Sequence, residues 1–345
     1  MQNNLYCPTI SVIIPVYNMA PYVERCLNSV IQQTFQPTEC IIVDDASVDE
    51  SIAICQRLID EYKGPTRFFI IHHEHNRGLS AARNTGADAA TSDYIYYLDS
   101  DDEMTPDCLE KMVTPVMRDD SVEIVMGEYA RDASAMQTKN KTLSRTCFFE
   151  NFPIELKNNA EMFDWFYKGN SQPTSAWNKL LKLSFLKEYK LFFREGLLWE
   201  DFLWYFHLIR SLNHVVFVYD VTYIYHIHSS SIVTSSKREV RLQHHGYIHK
   251  EIADLIEPGI HIKEAELWLR NFCLHYIDAA GYPDYQYAYN VYLRKFTDAK
   301  NQSAIRFLKM THFLSKNKMG RKLFKKAIGG NAIRRIGKAL FSKKN

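Results

Sequence analysis

Between Leu98 and Pro106 the sequence reads LDSDDEMTP, gathering Asp99, Asp101, Asp102 and Glu103 directly after the apolar run YIYY. Carboxylates packed this closely repel one another, more steeply as the surrounding dielectric falls. Two aspartates with one residue between them at the mouth of a strand offer hard oxygen donors to Mg2+ or Mn2+ and leave coordination positions open for phosphate oxygens. The same residues also suit a solvated acidic turn, with Asp102 or Thr105 capping the next helix, and an isolated DxD leaves both readings open. A second acidic pair, Asp44 and Asp45, closes another apolar run, ECIIV.

The elements that must position these groups alternate in type. ISVIIPVY, ECIIVD, RFFIIHH and DYIYYLD are short β-branched or aromatic runs, each read as a strand. Between them, APYVERCLNSVIQQTF places Val23, Leu27, Val30 and Ile31 at helical spacing. SVDESIAICQRLIDEY opens with Ser47 and Glu50 in the spacing of a capping box, and the small residues of GLSAARNTGADAAT suit a helix packed closely on a sheet. Thr105 and Pro106 read as the N-cap and first-turn proline of a fourth helix. This alternation predicts an α/β fold with a mostly parallel sheet flanked by helices. Ligands bind beyond the carboxyl ends of such strands, so both acidic clusters are expected on one rim. VEIVMGEYA reads as a further strand, and from Ser236 onward the pattern is helical. The expected division is therefore 1–235, with halves 1–120 and 121–235, followed by a helical C-terminal appendage, 236–345.

Composition narrows the partners. The 345 residues are 46% hydrophobic and 13% aromatic, enough for a substantial core. The formal charge of +2 conceals an asymmetry, because Ser303–Asn345 holds 13 basic residues and no acidic one, leaving 29 basic against 40 acidic elsewhere. An acidic body with a basic tail is not a nucleic-acid-binding footprint. Seven scattered cysteines without a CxxC pair suggest neither a disulfide framework nor a zinc site, and point to a reducing compartment. No leader and no run of about 18 apolar residues stands out, so a cytoplasmic protein is expected. In MGRKLFKKAIGGNAIRRIGKALFSKKN, Leu323, Ala327, Ile328, Ile333, Ile336 and Leu340 recur at helical spacing opposite Lys and Arg, a pattern suited to the anionic inner face of a membrane.

Four blocks, SVIIPVYN (11–18), VDDASVDES (43–51), NRGLSAARNTG (76–86) and LDSDD (98–102), stand in an order and spacing that resemble the family-two inverting glycosyltransferases. AWNKL, EGLLWED and YIYHIHSSSI are similar to later segments of that family, so the likeness extends to about residue 235. The resemblance implies a glycosyltransferase-A type fold and a nucleotide-sugar donor, a UDP-sugar, with Mn2+ or Mg2+ as cofactor. It places Pro15 and Tyr17 at the base in the loop after the first strand, and Asp45, or Asp44 in its place, at the uracil imide. Arg83 is expected at the base or diphosphate, Asp99 near ribose and metal, and Asp101 on the metal. Asp201 takes the position of the catalytic base, with Glu200 beside it. His228, in preference to His226, falls where some relatives bring a histidine to the metal or diphosphate; many relatives carry arginine at the position of His226. Asp102, Trp177, Lys179 and Glu200 are candidates for the acceptor side. The implied acceptor is a glycan or lipid-linked hydroxyl of a bacterial surface polysaccharide. Two other classes compete: a metal-dependent nucleotidyltransferase, for which PVYNMAPYVERC lacks the Gly-rich, Lys-containing phosphate loop, and a noncatalytic nucleotide-sugar binder.

Overall fold

The computed structural model describes residues 7–132, 144–145, 149, 152–169, 173–228 and 237–328. The chain forms two compact units, one of Met1–Met162 with Pro173–Ser235 and one of Phe163–Gln172 with Ser236–Asn345. Phe163–Gln172, which the sequence places within the first domain, therefore belongs with the helical unit.

In the first unit, β1 (Ile10–Val16), β2 (Glu39–Asp44), β3 (Arg67–His72) and β4 (Tyr94–Tyr97) pair in parallel in the order β3-β2-β1-β4. Every residue of β1, β2 and β4 is buried, as expected where helices cover both faces, whereas β3 at the edge alternates between exposed and half-buried. The chain steps outward from β1 to β3 and then returns to the other side of β1, so β1 sits at a topological switch point. The loops leaving β1 and β4 consequently open a crevice at the carboxyl ends of the strands.

Beyond β4 the sheet becomes mixed. β9 (Lys179–Lys182) runs antiparallel between β4 and β6 (Ile124–Asp132), and β10 (Val215–His226) runs parallel to β6. The far end of β10 pairs antiparallel with the short β5 (Glu103–Met104), immediately after the acidic cluster. β7 (Ser144–Arg145) and β8 (Glu155–Leu156) extend β6 and β10. The expectation of a mostly parallel sheet thus holds for the β3-β2-β1-β4 half, and the other half is mixed.

The helices of this unit are α1 (Val23–Ile31), α2 (Ser51–Glu61), α3 (Leu79–Ala89), α4 (Cys108–Arg118), α5 (Asn159–Gly169, shared with the second unit), α6 (Leu183–Glu188) and α7 (Glu200–Ser211). Two expected caps are replaced. α2 begins at Ser51, whose N–H is taken by Asp49 Oδ1 (3.0 Å), while Ser47 bonds Asp44 and Asn18 instead. α4 begins at Cys108, with Asp107 preceding it and the Thr105 hydroxyl donating to Asp107 Oδ1.

The second unit holds α8 (Arg238–Leu255), α9 (Ile262–Ala279), α10 (Pro283–Asp298), α11 (Gln302–Ser315) and α12 (Lys318–Ile328). Its core is aromatic, with Trp268, Phe272, Tyr276, Tyr285 and Tyr292 all buried. No described helix is long and apolar enough to cross a membrane.

The small residues of α3 have the role read from the sequence. Ala81, Ala82 and Gly86 are buried, and a Cβ on Gly86 would stand 2.3 Å from Cγ2 of Ile13 in β1. Cγ2 lies one bond from the Ile13 Cβ and has little freedom to retreat. Gly86→Ala is therefore expected to lower stability by about 1–3 kcal/mol despite alanine's better helix propensity. Urea unfolding of the variant checks this, and adding Ile13→Ala in the same chain should give less than the sum of the single losses.

Candidate active site

α3 presents Arg83 beneath the rim, 2% exposed. Its Nη2 donates to Asp99 Oδ1 at 2.7 Å and its Nη1 to Glu200 Oε1 at 2.6 Å. Burial alone would weaken its charge, but Asp99 and Glu200 more than offset this and hold its pKa above the ordinary arginine value. The next residue, Asn84, exchanges two hydrogen bonds with the backbone of Phe193, whose ring lies under the guanidinium, 5.3 Å from ring centroid to Cζ. Arg83 and Asn84 together clamp the segment leading into α7 onto the end of β4. Arg83, expected at the base or diphosphate, is thus a buried bridge between two carboxylates.

At the end of β4, Asp101 Oδ2 and His228 Nε2 lie 2.8 Å apart. The antiparallel pairing of β10 with β5 makes this meeting across 127 positions possible. Tyr22 lies against His228 with ring centroids 4.5 Å apart, and Arg25 Nη2 donates to the Asp101 carbonyl. Burial, followed by the Asp99 charge, raises the Asp101 carboxyl, and His228 only partly opposes the shift. A carboxylate and an imidazole in contact, with the charge of Asp99 raising that carboxyl further, are donors of the kind a divalent cation takes. His226 is engaged elsewhere, between Glu103 Oε2 (3.1 Å) and Asp132 Oδ2 (3.3 Å).

Asp102 departs from its expected place on the acceptor side. It is fully buried, accepts from the Tyr223 hydroxyl (2.7 Å) and the His226 N–H (2.8 Å), and so ties the acidic loop to β10. Trp177 is half-buried and stacked on Tyr223 (4.5 Å between centroids). Asn178 is buried and bonds the Gly127 and Glu128 carbonyls.

On the nucleotide side, Pro15 lies inside β1, paired with Val43, and not in the following loop. β4 pairs with β1 only as far as Ile13, so the missing N–H of Pro15 breaks no ladder bond there. Tyr17 is 44% exposed at the mouth of the crevice, with a ring free to cover a base. Asp44 accepts from Ser47 N and meets His72 Nδ1 at 2.9 Å. Asp45 accepts from the Arg77 and Gly78 N–H groups, both at 2.7 Å, and meets His73 Nδ1. It thereby fixes the turn before α3, where Gly78 has φ of 87°.

The candidate base stands in the first turn of α7. Trp199, just before it, has left-handed φ and ψ of 58° and 34°, a costly conformation for a bulky side chain, and this sharp turn sets the direction of Glu200 and Asp201. Burial raises the Asp201 carboxyl well above the ordinary aspartate range, Asp99 adds to this, and Arg83 and Lys179 pull it back. Lys179, on β9, is 2% exposed, bonds the Ser175 carbonyl, and is pushed down to about 7 by burial, with Asp201 opposing that shift. Glu200 is also raised by burial, with Arg83 opposing, and its bond to Arg83 makes it a strut and not an acceptor contact. Arg25, Tyr22, His73 and Asn84 escaped the sequence reading; Asn84 and Arg25 lie within helical segments already recognised, but nothing local marks their partners.

Among the described residues, the His and carboxylate group whose donor atoms already lie within 4.8 Å of one another is Asp119, Glu155 and His214, at the opposite ends of β6 and β10 from this rim. There Lys157 Nζ stands 3.2 Å from Glu155 and 3.5 Å from Asp119, supplying the positive charge itself.

Residues 11–175 match the model of Glycosyl transferase family 2. EpsH of Bacillus subtilis (strain 168), which bears a glycosyltransferase name, is 34% identical over 68% of this chain, and the match spans 65% of that protein. The glycosyltransferase GlyG of Streptococcus pneumoniae serotype 4 is 28% identical over 65% of this chain and 72% of its own length. Among solved structures, S. aureus TarS 1-349 in complex with UDP-GlcNAc superposes with a TM-score of 0.67 at 17% identity, covering 93% of this chain and 91% of that one. The mannosyltransferase PcManGT from Pyrobaculum calidifontis, in complex with GDP-Man and Mn2+, gives 0.55 at 18% identity over 98% and 89% of the two chains. At such identities these likenesses speak for the fold. The family match covers the motifs at β1, β2, α3 and the end of β4, and in this segment, residues 11–175, the chain is similar to the family-2 glycosyl transferases.

Proposed function

We propose that this chain transfers a sugar from a UDP-sugar to a hydroxyl of a glycan or lipid-linked acceptor, with inversion at the anomeric carbon, in surface-polysaccharide synthesis at the cytoplasmic face of the membrane. The observation that carries the reading is the buried Arg83 bridge. It joins Asp99, at the acidic strand end, to Glu200, next to Asp201, so that donor-side and acceptor-side carboxylates form one electrostatic unit. TarS bound to UDP-GlcNAc and PcManGT bound to GDP-Man and Mn2+ support a nucleotide-sugar donor for this fold.

Tyr17 covers the base, and Asp45, with Asp44 beside it, orders the loops around the uracil. Asp99, Asp101 and His228 would hold Mn2+ or Mg2+, which when bound would supply positive charge to stabilise the departing diphosphate. An acceptor hydroxyl is a weak nucleophile at neutral pH, and Asp201 takes its proton as attack proceeds. A carboxylate raised toward neutrality is a better-matched base than an ordinary aspartate. Lys179 keeps Asp201 ionised by its nearby charge.

Asp201→Asn should lose about 100-fold to 10,000-fold in transfer while UDP affinity stays near that of the parent. Glu200→Gln, which retains a hydrogen-bonding group for Arg83, should lose less. Proton NMR of the new linkage should show the anomeric configuration opposite to the donor's, and a retained configuration rejects single displacement.

The cation site has its own readout. Calorimetric titration should show Mn2+ tightening UDP binding to the parent chain, an enhancement that Asp101→Asn abolishes. Equal affinity with and without Mn2+ in both proteins would return the cluster to a solvated turn.

The acid limb of the pH–rate profile reports protonation of Asp201, with activity falling as pH drops through its raised pKa. Lys179→Met removes a positive neighbour that favours the carboxylate, so the pKa rises and the limb moves to higher pH. A limb that stays put, or moves to lower pH, would remove Lys179 from this role.

A further inference from the structure

α11 and α12 pack through Phe307 and Phe324, whose rings stack 6.4 Å apart, with Gly320 turned against the Leu314 carbonyl. The expected apolar face of α12 is therefore split, because Phe324 is buried whereas Leu323 is 51% and Met319 73% exposed. α11 behaves alike: Phe307, Leu308 and Thr311 face inward, and Phe313 is 68% and Met310 39% exposed. Met310 and Phe313 are three apart and Met319 and Leu323 four apart, so each helix carries a solvent-facing apolar stripe.

The charges carried by these two helices are all of one sign. Arg306 and Lys309 flank the first, and Lys318 and Lys322 flank the second; all four are exposed, and none pairs with a carboxylate among the described residues. From Ser303 to Asn345 the sequence offers 13 basic residues and no acidic one. Exposed bulky apolar side chains bordered by lysine and arginine complement a bilayer surface, where acyl chains receive the apolar tips and phosphates meet the cations. A protein partner of acidic character would match the charge but does not call for four large apolar groups left in water on two successive helices.

We propose that the α11–α12 hairpin is a docking surface for anionic phospholipid bilayers, seating Met310, Phe313, Met319 and Leu323 at the headgroup boundary. The surface is a property of the helical unit and stands independently of the glycosyl-transfer reading. It assigns the lipid contact to the hairpin itself, in addition to the basic stretch after Ile328, which lies outside the described residues.

The test is co-sedimentation of the full chain with vesicles of 3:1 phosphatidylcholine to phosphatidylglycerol, against phosphatidylcholine alone, with no nucleotide present. The parent should sediment with the anionic vesicles at low salt and be released by 0.5 M NaCl, where screening shortens the reach of surface charge. Lys318→Glu with Lys322→Glu should weaken binding at least about tenfold. Phe313→Gln with Leu323→Gln, which leaves charge and the buried Phe307–Phe324 contact untouched, should do the same, with circular dichroism confirming that each variant is folded. The proposal is overturned if the parent fails to sediment, if the glutamine variant binds as well as the parent, or if the parent is a dimer that the glutamine variant dissociates while vesicle binding is absent. Because no donor or acceptor enters the assay, its failure leaves the transferase reading standing, and loss of transferase activity leaves the docking surface standing.

Discussion

A guanidinium buried to 2% exposure can be tolerated only with its charge answered at close range, and Arg83 is answered twice, by Asp99 and Glu200. This requirement organises the rim. Asp99 lies just after β4 and Glu200 opens α7, so meeting the needs of one buried cation brings together two segments a hundred positions apart. Removing either carboxylate would leave charge buried without its partner, a loss of about 3–5 kcal/mol in comparable sites. The Asn84 pairing with Phe193 and the Phe193 ring beneath the guanidinium make the same junction a second and third time, which leaves α7 little freedom to slide.

With that junction set, the chemistry of the neighbouring carboxylates follows from shared burial. Asp101, Glu200 and Asp201 are all raised by loss of solvent, and Arg83 alone cannot satisfy them. At the end of β4, His228 only partly opposes the rise at Asp101. Around Asp201, Arg83 and then Lys179 oppose the rise, and the charge of Lys179 is itself weakened by burial. The two sides thus differ in how their charge is answered: Asp101 by His228, Glu200 by Arg83, and Asp201 by Arg83 and Lys179. Trp199 in its left-handed conformation is the backbone cost of aiming α7 this way.

Much of the parallel half was legible because its signals are local. Strands buried on both faces must be continuous apolar runs, and β1, β2 and β4 are; the close approach of α3 to the sheet demands small residues, and Gly86 against Ile13 shows why. What could not be read were pairings across long sequence separations. Nothing near Asp102 announces Tyr223 and His226, 121 and 124 positions away, which turn an acidic loop residue into a buried tie. Likewise, Ser47 and Glu50 had the spacing of a capping box, but Ser47 accepts from Asn18 N–H in the loop after β1, and the Ser51 N–H at the start of α2 goes to Asp49. Nothing near Arg83, expected at the base or diphosphate, announces Glu200, 117 positions away. The mixed half of the sheet was obscured for the same reason, because β9 owes its position between β4 and β6 to partners on both sides and not to its four residues.

The helical unit shows the complementary case, in which the pattern was visible but its orientation was not. A basic amphipathic period over residues 319–345 does not say which apolar residues meet protein and which meet solvent, since Leu323 and Phe324 are adjacent and both apolar. The choice is made by Phe307, available on α11 to stack on Phe324, and by Gly320, small enough to approach the Leu314 carbonyl. A helix rotated to bury Leu323 would lose both. The residues left outside are therefore those the packing could not use, and together with uncompensated lysines they give the hairpin a surface whose chemistry is opposite to that of the acidic crevice. Within one chain, carboxylates thus gather at the strand ends of the first unit and basic residues on the hairpin of the second.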